Sequence, residues 1–125
     1  MKFALIIEDD LMMQDLLCEL LEKMGFTVES AEDGWDGVGK IKKSTYDLIL
    51  LDIKMPGGID GEQVLNIIRK FKISTPIVIV SAFLTKERIL KLKQLGVKGF
   101  LAKPVDINKF PDMINEVCSL EVTPT

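Results

Sequence analysis

Histidine is absent from this chain of 125 residues, cysteine occurs only twice, and no apolar run is long enough to cross a bilayer. Without an imidazole the chain cannot supply its own histidine base, nucleophile or phosphoryl carrier, so any such group must come from another protein. Cys18 and Cys118 have neither Cys-x-x-Cys spacing nor histidine partners, which excludes a zinc site and favours two packed thiols. The short apolar start runs directly into acidic residues, unlike a signal peptide. We therefore expect a cytoplasmic protein that makes no contact with a membrane.

The charge balance has no basic excess, because 16 Lys and Arg residues face 19 Asp and Glu residues, for a net charge of −3. Binding to nucleic acid depends on clustered positive charge, so we expect no direct contact with nucleic acid. The composition, 47% hydrophobic and 28% charged, is typical of a globular protein, and the length fits one hydrophobic core. We predict one domain over residues 1–120 and a short polar tail over residues 121–125.

Five short runs rich in branched apolar residues occur at nearly even intervals, at residues 3–7, 26–30, 48–51, 77–80 and 99–101. Such runs predict β-strands. The segments between them, and the final segment over residues 107–120, have apolar residues at helical spacing. This alternation predicts an α/β fold of (βα)5 type, with a doubly wound five-stranded parallel sheet in the order 2-1-3-4-5. Such sheets bind ligands beyond the carboxyl ends of their strands, here between strands one and three.

Polar residues follow four of the predicted strands at that edge. Glu8 and Asp9 follow strand one, Asp52 follows strand three, Ser81 follows strand four and Lys103 follows strand five. A single strand-end acid is often only a solvated loop residue, and a lone serine is often only a cap or turn residue. Carboxylates from two neighbouring strands, however, are typical ligands of Mg²⁺ (or Mn²⁺). The convergence of four strand ends therefore indicates a functional site.

The segments around these residues read LIIEDD at 5–10, DLILLDIKMP at 47–56, IVIVSA at 77–82 and FLAKP at 100–104. In this order and spacing they resemble the receiver domains of response regulators in two-component systems, over essentially the whole chain. The resemblance implies a flavodoxin-like receiver fold in which Asp52 is the phosphoacceptor. It also implies that Lys103 and Ser81 assist the phosphoryl transfer.

The same resemblance implies a metal site. Glu8 and Asp9 match the acidic pair of the family, whose second member binds Mg²⁺, and Asp10 falls one place beyond that pair. Asp52 and the main-chain carbonyl of Lys54 would complete the protein ligands. We further hypothesise that the Lys54 side chain lies over the phosphoryl oxygens and slows hydrolysis by water.

A switch is implied as well, formed by the Ser81 hydroxyl, the neighbouring Ala82 and the aromatic ring at position 100, which would turn inward after phosphorylation. Phe100 replaces the tyrosine that is frequent in the family, so no phenol hydroxyl is available and the switch would depend on packing. The resemblance also implies a cis peptide bond between Lys103 and Pro104.

Two expectations concern partner contacts. The loop over residues 55–61 is one residue longer than the common family pattern, with an extra glycine between the site and the third helix, and its flexibility would alter partner docking. We expect an effector to bind at the fourth helix, fifth strand and fifth helix, where Lys91, Lys98, Lys109 and Phe110 would be exposed. A solvated lysine face is an equally good interpretation.

The predicted function is phosphoryl transfer from a histidine kinase or histidine phosphotransfer protein to Asp52, followed by altered binding to a protein effector. The chain would not be an enzyme beyond its own phosphorylation and dephosphorylation. A phosphatase of the haloacid dehalogenase type needs an acid two residues after the nucleophile, and that residue is Lys54. A flavodoxin-like cofactor protein is disfavoured because acidic residues after strand one repel phosphate. The alternative that stays open is a receiver that binds proteins without being phosphorylated.

Overall fold

The structure is a computed structural model that describes residues 2–55 and 58–120. Strands and helices alternate along these residues. In chain order they are β1 (Lys2–Ile7), α1 (Leu11–Lys23), β2 (Phe26–Ala31), α2 (Gly34–Lys43), β3 (Leu48–Asp52), α3 (Gly61–Lys70), β4 (Ile77–Ser81), α4 (Lys86–Gln94), β5 (Gly99–Ala102) and α5 (Phe110–Leu120). No helix within the described residues is long and apolar enough to span a membrane.

The strands form one parallel sheet in the order β2-β1-β3-β4-β5, which confirms the predicted topology. β3 and β4 are buried along their whole length, because helices cover both faces of the sheet. The register pairs Asp52 with Val80 and Ser81 with Ala102. The carboxyl ends of the inner strands therefore meet at one edge, and their last residues are polar.

Two apolar clusters cover the two faces of the sheet. On β1, Leu5 and Ile7 point towards the cluster formed with α2, α3 and α4, whereas Ala4 and Ile6 point towards α1 and α5. Burial of one Leu or Ile side chain contributes about 1.5–3 kcal/mol, so this alternation fixes the register of the strand. The half-buried Cys18 and Cys118 pack against the second cluster, as expected for structural thiols.

The start of α3 is held tightly against the end of β3. The N–H of Gly61 donates to the carbonyl of Ile53 at 2.9 Å, and a Cβ at position 61 would collide with the main chain of Asp52. Asp60 and Gln63 form a capping box at the start of α3. This close approach, possible only for glycine, holds the main chain of Asp52 in place.

The predicted start of the last helix at residue 107 is wrong, because α5 begins at Phe110. Residues 107–109 form a turn in which the Asp106 carboxylate accepts the N–H of Asn108 at 2.9 Å. Pro111 has no N–H to donate to the carbonyl of residue 107, which removes one hydrogen bond of a longer helix. The Asp106 turn therefore precedes the helix proper.

Phe110 is also not exposed, contrary to the expectation for the partner face. Its ring is fully buried (0% exposed) and packs with Ile114 and Val117 in the cluster under α1 and α5. The spacing of these three residues places them on one inward face of α5. Lys91, Lys98 and Lys109, in contrast, are exposed as expected.

Part of the loop over residues 55–61, namely residues 56 and 57, lies outside the described residues, as does the predicted tail over residues 121–125. The glycine at position 58 has a φ angle of +91°, which a side chain would strain. A Cβ there would also lie 3.2 Å from the Trp35 ring at the start of α2. Gly58 thus lets this loop pass close to α2.

Candidate functional site

Three strand ends bring a lysine and two acids into direct contact. The Lys103 ammonium lies 2.7 Å from Oε1 of Glu8 and 3.3 Å from Oδ2 of Asp52. Glu8 is 1% exposed and Asp52 is 5% exposed. Charges this far from solvent need compensation, which the ammonium supplies to both acids. The residues predicted from strands one, three and five therefore form one ion-pair network.

Asp9 completes a group of three acids at this edge. One carboxylate oxygen each from Glu8, Asp9 and Asp52 lie within 4.8 Å of one another. Although Lys103 is close, Glu8 Oε1 is buried and has no hydrogen-bond partner among the described residues, so the contact is that of an ion pair. Three carboxylates this close together fit the oxygen-ligand set of Mg²⁺.

The pKa values of two groups reflect this crowding. Burial raises the pKa of Glu8 to about 7; the Lys103 ammonium opposes the shift, and the Asp52 carboxylate adds to it. Burial by itself would lower the pKa of Lys103, but Glu8 and Asp52 outweigh that effect and the pKa lies above its usual value. Lys103 therefore stays charged at neutral pH, whereas Glu8 loses its proton less readily than an exposed glutamate.

Asp10 does not point into the cluster. Its Oδ1 accepts the main-chain N–H groups of Met12 at 2.9 Å and Met13 at 3.3 Å, and so caps α1. A side-chain acceptor at this position satisfies N–H groups that have no partner within the helix. The structure thus places Asp10 outside the group of three carboxylates, as expected from its place beyond the acidic pair.

Ser81 lies at the same edge of the sheet but makes different contacts. Its side chain is buried, and Oγ accepts the N–H of Phe83 at 3.1 Å. Its carbonyl accepts the N–H of Lys103 at 2.9 Å, as part of the pairing of β4 with β5. No hydrogen bond joins Ser81 to Asp52 in the described part of the chain. Ala82 is exposed at the start of the following loop.

Phe100 belongs to the sheet rather than to the acidic cluster. Its ring is half-buried and packs against the cluster formed with α2, α3 and α4. The ring is thus partly inward already. The peptide bond between Lys103 and Pro104, just beyond β5, is cis.

Lys54 contributes its main chain to the site and directs its side chain elsewhere. Its N–H donates to Oδ1 of Asp52 at 3.2 Å. Its ammonium lies 4.6 Å from the centre of the Phe83 ring, a cation–π contact between the loops that follow β3 and β4. Within residues 2–55 and 58–120, no ion pair joins Lys54 to Asp52.

One polar residue near the site received no role in the sequence analysis. The side chain of Gln14, on α1, is buried and donates to the carbonyls of Glu8 and Ala31. Gln14 lies three and seven residues before Leu17 and Leu21, on the buried face of the helix. A polar residue at an apolar position of a helical pattern was the signal that could have identified it.

Comparison with known proteins identifies the family to which this fold belongs. The sequence pattern of the response regulator receiver domain matches residues 4–115, so the chain belongs to the response regulator receiver domain family. It is a signalling module of the two-component type.

Two curated relatives and one solved structure illustrate the family. The chain is 30% identical over 117 residues to sporulation initiation phosphotransferase F of Bacillus subtilis, a match that covers 94% of each protein. It is 35% identical over 101 residues to transcription factor SKN7 of Saccharomyces cerevisiae, a match that covers 81% of this chain and 16% of that protein. The chain thus spans only a small part of some larger relatives.

The solved structure is that of response regulator protein TrrA from Thermotoga maritima in complex with Mg(2+)-BeF. Its TM-score is 0.82 at 28% identity, with coverage of 94% of this chain and 99% of that one.

Proposed function

We propose that the chain accepts a phosphoryl group on Asp52 from the phosphohistidine of a histidine kinase or histidine phosphotransfer protein, and that this changes its binding to a protein effector. The observation that carries the proposal is the buried Asp52 carboxylate, which lies 3.3 Å from the Lys103 ammonium within the group of three acids. Burying a charged acid costs free energy, and acids buried in a crowded cluster are frequent at functional sites. The match to a phosphotransferase over 94% of both chains supports the same function.

The transfer is a displacement at phosphorus. One Asp52 oxygen forms the new O–P bond while the N–P bond of the donor phosphohistidine breaks, and its electron pair returns to the imidazole. Because this chain contains no histidine, the imidazole belongs to the partner. The Lys103 ammonium pairs with a phosphoryl oxygen as the negative charge of Asp52 is shared with phosphorus. Catalysis then consists of positioning and charge compensation.

The metal site of the proposal consists of Glu8, Asp9, Asp52 and the main-chain carbonyl of Lys54. Mg²⁺ (or Mn²⁺) bound there would shield the carboxylates and the phosphoryl oxygens from one another. The grouping of one carboxylate oxygen each from Glu8, Asp9 and Asp52 within 4.8 Å supports this assignment, because Mg²⁺ prefers oxygen ligands.

The output uses Ser81, Ala82 and Phe100. Ser81 Oγ now accepts from Phe83, and its own proton is available to bond to a phosphoryl oxygen on Asp52. Movement of the loop that begins at Ala82 would then change the surroundings of the Phe100 ring. This shift in population between two packed states would be the signal that an effector detects.

The other features of the proposal are inferred from the sequence rather than from the site. The phosphodonor is a histidine kinase or histidine phosphotransfer protein, the effector is a protein, and the chain acts in the cytoplasm. The domain covers residues 1–120. The chain catalyses only its own phosphorylation and dephosphorylation.

The test is incubation with acetyl phosphate and Mg²⁺, followed by intact-mass measurement. The parent should gain one phosphoryl group, and Asp52→Ala should gain none. Asp112→Asn is the matched control, because Asp112 is an exposed acid on α5 away from the cluster, and it should behave as the parent. A parent that gains no phosphoryl group, with acetyl phosphate or with a phosphorylated histidine phosphotransfer protein, would refute the proposal. The remaining interpretation would be a receiver that binds proteins without phosphorylation.

A further inference from the structure

Gln14 is a buried amide that the proposed transfer does not use. Its side chain is 7% exposed and lies on the same face of α1 as Leu17 and Leu21, which pack in the core. An apolar residue would fill this position without the cost of burying an amide. The amide therefore needs hydrogen-bond partners, and the identity of those partners indicates its role.

Both partners are carbonyls at strand ends. Nε2 of Gln14 donates to the carbonyl of Glu8 at 2.6 Å and to the carbonyl of Ala31 at 3.2 Å. The Ala31 carbonyl also accepts the N–H of Glu8 at 3.1 Å. One amide thus joins α1 to the ends of β1 and β2, and both main-chain polar groups of Glu8 are held.

Two further hydrogen bonds hold the turn of residues 8–10, which follows β1. The N–H of Asp10 donates to Oε2 of Glu8 at 3.2 Å, and the N–H of Gln14 donates to the carbonyl of Asp10 at 2.9 Å. Glu8 and Asp10 are therefore fixed on either side of Asp9. Within residues 2–55 and 58–120, the Asp9 carboxylate makes no hydrogen bond or ion pair.

The turn has to be held against its own charges. Glu8, Asp9 and Asp52 place three carboxylate oxygens within 4.8 Å of one another, and like charges at such distances repel. The Lys103 ammonium bridges Glu8 to Asp52, but among the described residues it forms no ion pair with Asp9, so repulsion favours movement of the turn at Asp9 away from Asp52 in the absence of a divalent cation. The bond from Gln14 to the Glu8 carbonyl opposes that movement.

We infer that Gln14 is a positioning residue for the metal-binding turn, which keeps Glu8 and Asp9 close to Asp52 before a divalent cation arrives. The inference rests on the proposed metal site at these acids. Gln14 does not touch the cation; it acts through the Glu8 main chain. Partners of this outer kind affect metal affinity because they orient the ligands.

The test compares Mn²⁺ affinity among variants, with free Mn²⁺ measured by electron paramagnetic resonance. Gln14→Met keeps the length of the side chain and removes the donor. We expect its dissociation constant to rise about 10-fold, at the lower end of the 10- to 100-fold loss typical for outer partners of metal ligands. Phosphorylation by acetyl phosphate should slow at low Mg²⁺ and recover at saturating Mg²⁺.

Leu17→Ala is the matched control, because Leu17 lies one turn further along α1 on the same buried face and is 1% exposed. It should lower the free energy of unfolding, measured in urea, without changing the Mn²⁺ affinity. If Gln14 only stabilised the fold, Gln14→Met would likewise lower the free energy of unfolding without changing the Mn²⁺ affinity.

Gln14→Asn provides a second variant if Gln14→Met does not fold, since it keeps an amide but is too short to reach the Glu8 carbonyl. It too should weaken Mn²⁺ binding. Parental affinity in the folded Gln14 variants, with a parent that binds Mn²⁺, would overturn this inference and leave the proposed function intact. A parent that binds no Mn²⁺ would overturn both the proposed metal site and the inference.

Discussion

The acidic cluster and Ser81 lie at the same edge of the sheet, yet they differ in how far their contacts with Asp52 are already formed. Glu8, Asp52 and Lys103 are already joined by ion pairs of 2.7 and 3.3 Å. Ser81 instead accepts the N–H of Phe83, and Phe100, two residues before the end of β5, packs against the core formed with α2, α3 and α4. For the proposed function, the contrast predicts that phosphoryl transfer to Asp52 needs little rearrangement, whereas the response of Ser81 requires its existing hydrogen bond to change.

The largest effect should come from removing the Lys103 ammonium from the acidic cluster. Lys103→Met leaves Glu8 and Asp52 buried without their ammonium, and the transferred group loses a charge partner. Loss of one such electrostatic group typically costs about 10²–10³-fold in rate, so we expect phosphorylation to slow by roughly 10²-fold. Intact-mass time courses with acetyl phosphate would measure it.

Lys109→Met is the control for that variant, because Lys109 is exposed and the substitution removes the same charge from another part of the surface. Circular dichroism should show that both variants are folded. Equal phosphorylation rates in the parent and in Lys103→Met would contradict the role given to Lys103.

Substitution of Phe100 tests whether phosphorylation at the acidic cluster depends on packing around the switch residues. Phe100→Ala removes a half-buried ring from the core, and full burial of such a ring is worth about 3–5 kcal/mol, so we expect a loss of roughly 2 kcal/mol in urea unfolding. Phosphorylation should proceed at the parental rate, because the ring does not contact the acidic cluster. Phe100→Tyr should keep parental stability. A large fall in phosphorylation rate in folded Phe100→Ala would show that the regions are coupled before phosphorylation.

Ser81→Ala addresses the output directly. Loss of one hydroxyl hydrogen bond is worth about 1 kcal/mol, so phosphorylation should slow by no more than about 5-fold. The phosphorylated variant should lack the change in amide hydrogen exchange that phosphorylation causes around Ala82 and Phe100 in the parent. The control Ser74→Ala, at an exposed serine, should show the same change in hydrogen exchange as the parent. A normal exchange response in Ser81→Ala would remove Ser81 from the switch.

The smallest effect concerns the contact between Lys54 and Phe83. If the Lys54 ammonium shields the acyl phosphate, Lys54→Ala should shorten the half-life of phosphorylated Asp52. Phe83→Leu should lengthen it, because an ammonium released from the ring is free to cover the phosphoryl group. An exposed cation–π contact is worth about 0.5–1 kcal/mol, so changes of roughly 2- to 5-fold are expected.

The decay of phosphorylated protein after removal of the donor gives these half-lives, and Lys91→Ala serves as the control on a neighbouring exposed lysine. A half-life that is unchanged or longer in Lys54→Ala would refute shielding by Lys54. An unchanged half-life in Phe83→Leu would mean that the ring does not compete for the ammonium.

The sheet could be predicted well because its signal is local. The apolar runs of β3 and β4 are continuous, and an alternation of strands and helices leaves few topologies. The prediction failed where two local signals conflicted, at the start of α5. There, helical spacing favoured a helix from residue 107, but the Asp106 turn and Pro111 delayed it, and Phe110 turned inward.

The sequence by itself determined the parallel order of the strands and, through it, the meeting of Glu8, Asp9, Asp52 and Lys103, because carboxyl ends of parallel strands share one edge. Only the tertiary structure decided how the side chains at that edge are bonded. It assigned Gln14 to the Glu8 carbonyl and Ser81 to the Phe83 amide. Hydrogen bonds between distant segments depend on distances of a few tenths of an ångström, and residue spacing along a chain does not contain them.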